Sequence, residues 1–192
     1  MTGSVNSARK AALSVAPNGG SKTKKDHSRI PITPAELADE AAGCLREGAA
    51  LIHLHVRDDN QLHSLDADRY RAAVQAVKEC VGSEMIVQIT SESLGKFSIE
   101  AQMQAVRDVR PEAVSLALRE FAPSEKEEAA FSRFLGWIRQ ERILPQIILY
   151  TPEEAIRLKA LIRRGLMPWN DTPVLYVLGR YAEGQRSSPS DL

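Results

Sequence analysis

Short apolar runs alternate along the chain with longer stretches in which apolar residues recur every three or four positions. The short runs, at residues 11–16, 50–56, 85–90, 113–118, 146–150 and 174–178, have the length and boundaries of strands. The longer stretches mark their own ends as helices. Thr33-Pro34-Ala35-Glu36 sets a hydroxyl at the N-cap, a proline in the first turn and a glutamate three residues on, which is a capping box. Ser124-Glu125-Lys126-Glu127 and Thr151-Pro152-Glu153-Glu154 repeat the device, and Asp66 and Ser98 serve as caps for two further helices. Gly48 and Gly165 supply left-handed stops.

Six strands alternating with helices about every 30 residues predict parallel βαβ units with right-handed crossovers. Two architectures accommodate them. A doubly wound sheet ordinarily carries a Gly-rich phosphate loop after its first strand, but Pro17-Asn18-Gly19-Gly20 is only a turn signal. A TIM barrel needs eight units and typically ~250 residues. The expected fold is therefore an α/β, TIM-barrel-like (β/α) fold of parallel strands with about six of the eight units present. A chain of 192 residues favours one large domain, taken as residues 10–192 behind a loose tail at 1–9.

Composition narrows the class without choosing a function. With 43% apolar and 26% charged residues the chain is an ordinary globular protein. Lys plus Arg and Asp plus Glu each number 25, so no net field draws the chain to nucleic acid or an anionic membrane. No apolar run approaches the ~18 residues of a membrane span. The opening MTGSVNSARK lacks the apolar core of a secretory signal, and a cytoplasmic location is expected. Cys44 and Cys80 fall in helical patterns rather than metal or redox spacing and are expected to be small buried residues.

The candidate chemistry centres on Leu51-Ile52-His53-Leu54-His55-Val56-Arg57-Asp58 at the end of the second predicted strand. Side chains alternate across a strand, so His53 and His55 share one face while Ile52, Leu54 and Val56 share the other. In a barrel the apolar set packs under the helices and the imidazoles face the axis at the catalytic rim. One such histidine is usually a hydrogen-bonded core residue. Two side by side are costly to bury without polar partners, and a shared divalent metal, Zn²⁺ above others, satisfies both.

A His-x-His strand end also occurs in metal-dependent amidohydrolases, but those sites draw further histidines from later strands and none follows His63. Glu92, Glu120 and Asp58 lie just past predicted strands, each a possible third ligand and each equally a solvated loop charge. Thr90, Ser115, Gln146 and Tyr150 add polar groups at other strand ends. Lys22, Lys24 and Lys25 follow the first strand, where they could grip an anion or simply be solvated. No Ser/His/Asp order, Cys/His pair or Walker loop is present.

From about Ala11 onward the chain resembles the β-keto acid cleavage enzymes. The likeness lies in Ala16-Pro17-Asn18-Gly19, Pro31-Ile32-Thr33-Pro34-Ala35-Glu36, His53-Leu54-His55-Val56-Arg57-Asp58 and Gln88-Ile89-Thr90-Ser91, and continues in Ser115-Leu116-Ala117-Leu118-Arg119-Glu120 and Val177-Leu178-Gly179-Arg180. It implies a TIM barrel with Zn²⁺ held by His53, His55 and a glutamate of the seventh strand, which stands with the family's catalytic aspartate and arginine beyond Leu192. A family glutamate of the fifth strand aligns with Ile148, in a region where the resembling subgroup uses Gln146 and Tyr150. Thr90 and Ser115 match substrate-contacting hydroxyls, and Asn18 joins the implied substrate contacts. The implied reaction exchanges acyl groups: a β-keto acid and acetyl-CoA give acetoacetate and a new CoA thioester. The resemblance also implies a homo-oligomer. With the late strands absent, the alternative expectation is a catalytically inactive, shortened barrel lacking its third metal ligand, unless a second chain completes it.

Overall fold

The computed structural model describes residues 11–181 and 183–188. The tail expected at residues 1–9 lies outside the described residues. Strands β1 (Leu13–Val15), β2 (Ala49–Leu54), β5 (Ile86–Thr90), β6 (Ala113–Ala117), β7 (Leu144–Leu149) and β8 (Val174–Tyr176) form one sheet in that order, every pair parallel. A doubly wound sheet reverses direction from its first strand. Here each strand lies beside the one before it, and the six curl into half of a barrel.

Between the strands run α1 (Pro34–Arg46), α2 (Ala67–Val81), α3 (Ile99–Val109), α5 (Glu125–Gln140) and α6 (Pro152–Arg163). Their starts follow the predicted caps: Thr33, Asp66, Ser98, Ser124 and Thr151 each accept a backbone N–H of their own first turn. Each helix buries one stripe, Leu37 and Ala41 in α1 and Tyr70, Ala73, Val77 and Val81 in α2. Those stripes meet the sheet's apolar face, where Ile52, Leu54, Val87, Ile89, Val114, Leu116, Ile147 and Leu149 are all buried. Phe121 completes this layer by stacking on Phe134 at 5.9 Å between ring centres and tilting against Phe131 at 5.6 Å. The strands' other faces line the concavity with His53, Gln88, Thr90, Ser115 and Gln146, brought level by the pairings His53 with Gln88, Thr90 with Ser115 and Ser115 with Gln146.

The structure corrects several sequence expectations. The second strand ends at Leu54, and Val56–Arg57 (β3) instead pairs antiparallel with His63–Ser64 (β4) in a small hairpin over the strand end. Asp58 makes that reversal possible, its Oδ1 accepting the N–H groups of Asn60 and Leu62. Leu118 leaves the fourth predicted run, 113–118, to begin a one-turn helix, α4 (Leu118–Phe121), which seats Phe121 in the core. Cys80 is exposed and Cys44 half-buried, because both lie off the buried stripes of their helices.

The box at the head of α1 reaches beyond its own helix. Glu36 accepts from the backbone N–H groups of Ile32 and Thr33 at 2.9 and 3.0 Å and from Lys24 Nζ at 2.5 Å. The Lys24 ammonium first, and those backbone donors after it, hold its carboxyl down from an ordinary 4.5 to about 2. A lowered carboxyl stabilises the fold fully above about pH 4.5 and ceases to do so as pH falls toward about 2. Glu36→Gln is thus expected to be less stable than the parent at pH 7 and equal to it near pH 2, read from urea midpoints across that range.

Candidate metal centre

Four side chains on the concave face form one chain of contacts. Gln88 Nε2 donates to Gln146 Oε1 at 3.2 Å, which leaves Gln88 Oε1 to accept from His53 Nδ1–H at 2.8 Å. That bond fixes the tautomer of His53 and turns its Nε2 lone pair toward Nε2 of His55, 3.2 Å away. Burial pushes the His53 imidazole below its ordinary range. Burial pushes His55 further down, and the neighbouring His53, His63 and Arg57 add to the effect. Both rings are therefore neutral near pH 7, the form that ligates metal.

The residues fit a zinc ion by one geometric test. Two imidazole nitrogens each about 2.0–2.1 Å from one tetrahedral Zn²⁺ stand about 3.3 Å apart, and the observed separation is 3.2 Å. Among the described residues no group of three or more His, Cys, Asp or Glu side chains is arranged to hold a metal, so the two imidazoles offer a pair of donors without a third.

Asn18 positions His55. Its Nδ2 donates to the carbonyl oxygens of His55 at 2.8 Å and Pro31 at 3.1 Å, while its Oδ1 accepts the His55 N–H at 3.2 Å. The Asn18 amide is thereby spent on backbone groups, tying the loop after β1 to the residue that carries the imidazole. Arg57, 4% exposed, clamps the same loop by donating through Nη2 to the carbonyl oxygens of Asn18, Gly19 and Lys22.

A third imidazole joins the pair. The β3–β4 hairpin delivers His63 against His55, ring centres 5.4 Å apart, and His63 Nε2–H donates to the Glu92 carbonyl oxygen at 2.7 Å. Strand alternation does not reach His63, which lies beyond the strand; the turn residues Asp58-Asp59-Asn60 are the signal in the sequence that the chain doubles back here.

The three acidic candidates separate by position. Asp58 caps the hairpin turn. Glu120 Oε2 accepts from Ser93 N at 3.0 Å and Gln102 Nε2 at 2.7 Å. Glu92 lies beside His55 with its side chain 18% exposed, Oε2 being 3.9 Å from His55 Nδ1 and Oε1 accepting from Arg180 at 3.1 Å. Burial raises its carboxyl against the pull of Arg180.

Thr90 and Ser115 share the concave face with the histidines. Thr90 Oγ1 accepts the Glu92 N–H at 3.0 Å, and the buried Ser115 hydroxyl has no hydrogen-bond partner. Tyr150 stands at the rim, its ring 5.0 Å from Tyr181 and 4.6 Å from the Arg119 guanidinium, which Glu154 holds at 2.6 Å. Lys22 pairs with Asp26 at 3.8 Å, so with Lys24 on Glu36 two of the three loop lysines face carboxylates of their own chain.

Comparison with known proteins bears on this arrangement. The family model described as beta-keto acid cleavage enzyme matches residues 10–192. The chain is 32% identical over 91 residues to a 3-keto-5-aminohexanoate cleavage enzyme of Fusobacterium nucleatum, covering 47% of this chain and 34% of that protein. A protein of the same description from Acetoanaerobium sticklandii is 32% identical over 107 residues, 56% of this chain and 38% of its own length. A 3-oxoadipate:acetyl-CoA acetyltransferase of Cupriavidus necator is 29% identical over 105 residues, 55% and 36% respectively. The matched stretch thus spans about a third of the length of these curated relatives.

Proposed function

Because the chain belongs to the β-keto acid cleavage enzyme family, we propose that it takes part in acyl exchange between a β-keto acid and acetyl-CoA, releasing acetoacetate and a new CoA thioester, with Zn²⁺ on His53 and His55. The observation that carries this reading is the 3.2 Å separation of two neutral, converging Nε2 atoms at the open ends of the strands. Zn²⁺, when bound, supplies a Lewis acid that polarises a keto oxygen and stabilises negative charge developing beside it.

The protein's own groups do the rest of the positioning. Gln88 and Gln146 hold the His53 ring in the tautomer that presents Nε2. Asn18 holds the backbone of His55. The Ser115 hydroxyl, buried on the concave face without a partner, is free to bind a polar substrate atom, with Thr90 and Gln146 level with it on the neighbouring strands and Tyr150 beyond them at the rim. The names of the Fusobacterium and Cupriavidus relatives point to keto acids that carry a second polar group beyond the keto carbon, which that lining suits. A homo-oligomer is part of the same reading, as a source for a third metal ligand.

The second reading is a catalytically inert family member. It draws on the lack, among the described residues, of a third side chain arranged to hold a metal ion together with His53 and His55. Zinc-loaded protein incubated with acetyl-CoA and a panel of β-keto acids decides between them. Acetoacetate and a new thioester, formed only when both substrates are present, are expected; folded, zinc-loaded protein that turns over none of the panel would establish the inert reading.

A further inference from the structure

Of the three acidic candidates, Glu92 is the one whose carboxylate adjoins an imidazole. Its carboxylate lies against His55 Nδ1, the ring nitrogen remote from the Nε2 pair. It therefore stands behind the imidazole, where it cannot share an ion with both Nε2 atoms. The space between carboxylate and ring is kept open by Gly20: a Cβ there would lie 2.8 Å from Glu92 Oε2 and 3.3 Å from His55 Nδ1. His55 Nδ1 is buried with no hydrogen-bond partner, and at 3.9 Å the nearer carboxylate oxygen is about 1 Å outside hydrogen-bond range. Glu92 is held from three sides: Arg180 takes Oε1, Thr90 Oγ1 takes its N–H, and His63 takes its carbonyl oxygen.

We infer that Glu92 is a positioning residue for His55: it accepts the Nδ1–H that His55 must carry when its Nε2 is committed to a metal ion. An imidazole has one proton to place when neutral. In His53 that proton already goes to Gln88 through Nδ1. For both Nε2 lone pairs to face one ion, the His55 proton must also sit on Nδ1, and Glu92 is the acceptor facing it. The two ligands are thus backed by two different acceptors, a carboxamide behind His53 and a carboxylate behind His55. Metal-ligating histidines commonly rely on such partners. This inference rests on the zinc reading above, and the two fail separately.

The test is zinc affinity of the whole chain by competition with a chromogenic chelator, alongside the melting temperature of each metal-free protein. Glu92→Met keeps the length of the side chain and removes both oxygens; about 10–100-fold weaker zinc binding is expected, with the metal-free melting temperature unchanged. Glu92→Gln keeps the shape and a weaker, uncharged acceptor, and a smaller loss of several-fold is expected; because it is isosteric, it carries the test if Glu92→Met does not fold. Parental affinity in Glu92→Gln together with parental affinity in any folded Glu92→Met would overturn the assignment. A parent chain that binds no zinc would overturn the zinc reading itself, and Glu92's role with it.

Discussion

Chain carrying both His53→Ala and His55→Ala is expected to retain no zinc through purification, while the parent holds it stoichiometrically. Removing a hydrogen-bond partner behind a ligand typically costs 10–100-fold in metal affinity. Removing both imidazoles takes away the donors themselves, so the loss must exceed that range. The fold should survive. Both side chains lie on the concave face, and the apolar residues that alternate with them, Ile52 and Leu54, are fully buried on the opposite face and untouched by the change. Elemental analysis of untagged protein with circular dichroism on the same sample reads both quantities. Zinc that stays in the folded double variant would remove His53 and His55 from the site.

Asn18→Ala is expected to have the largest effect on stability. Its one side chain satisfies the His55 N–H, the His55 carbonyl and the Pro31 carbonyl, all at a residue only 4% exposed. Leaving a buried group unsatisfied costs roughly 1–3 kcal/mol, and water entering the space recovers part of it. A net loss of about 3 kcal/mol is expected, which for a chain of this size lowers the melting temperature by about 10 °C. The same substitution separates two roles for this residue. A side chain that only touched substrate would change KM and leave melting alone; one that ties the β1 loop to His55 lowers melting and zinc affinity together. Calorimetry and chelator competition on a single preparation distinguish them.

Much of the architecture is legible in the sequence because it rests on local rules. Strand alternation places His53 and His55 opposite Ile52 and Leu54, and the structure has them so. Thr33, Ser124 and Thr151 each open a helix, since a capping side chain acts within its own turn. What escapes the sequence is decided by where chain leaves an element. Val56 reads as a continuation of β2, but a turn capped by Asp58 four residues short of Leu62 folds it into a hairpin. That hairpin brings His63 to the imidazoles, a contact no spacing rule contains. Glu92 reads as loop charge because its meaning depends on Gly20, distant in sequence, having no side chain. Cys80 reads as buried because a thiol is usually buried, whereas the stripe Tyr70, Ala73, Val77, Val81 leaves it outside.

The order of the sheet has a further consequence, for synthesis rather than for chemistry. Within the six-stranded sheet every strand after β1 pairs with the strand of that sheet made before it, only the small β3–β4 hairpin intervening. A chain emerging residue by residue therefore always has its next docking edge already in place, and assembly can proceed by accretion from the first βα unit without waiting for distant partners. The imidazole pair arrives with β2, its Gln88 support with β5 and Gln146 only with β7. On a ribosome both imidazoles thus emerge before the side chains that orient them, Gln88 first and Gln146 some sixty residues later.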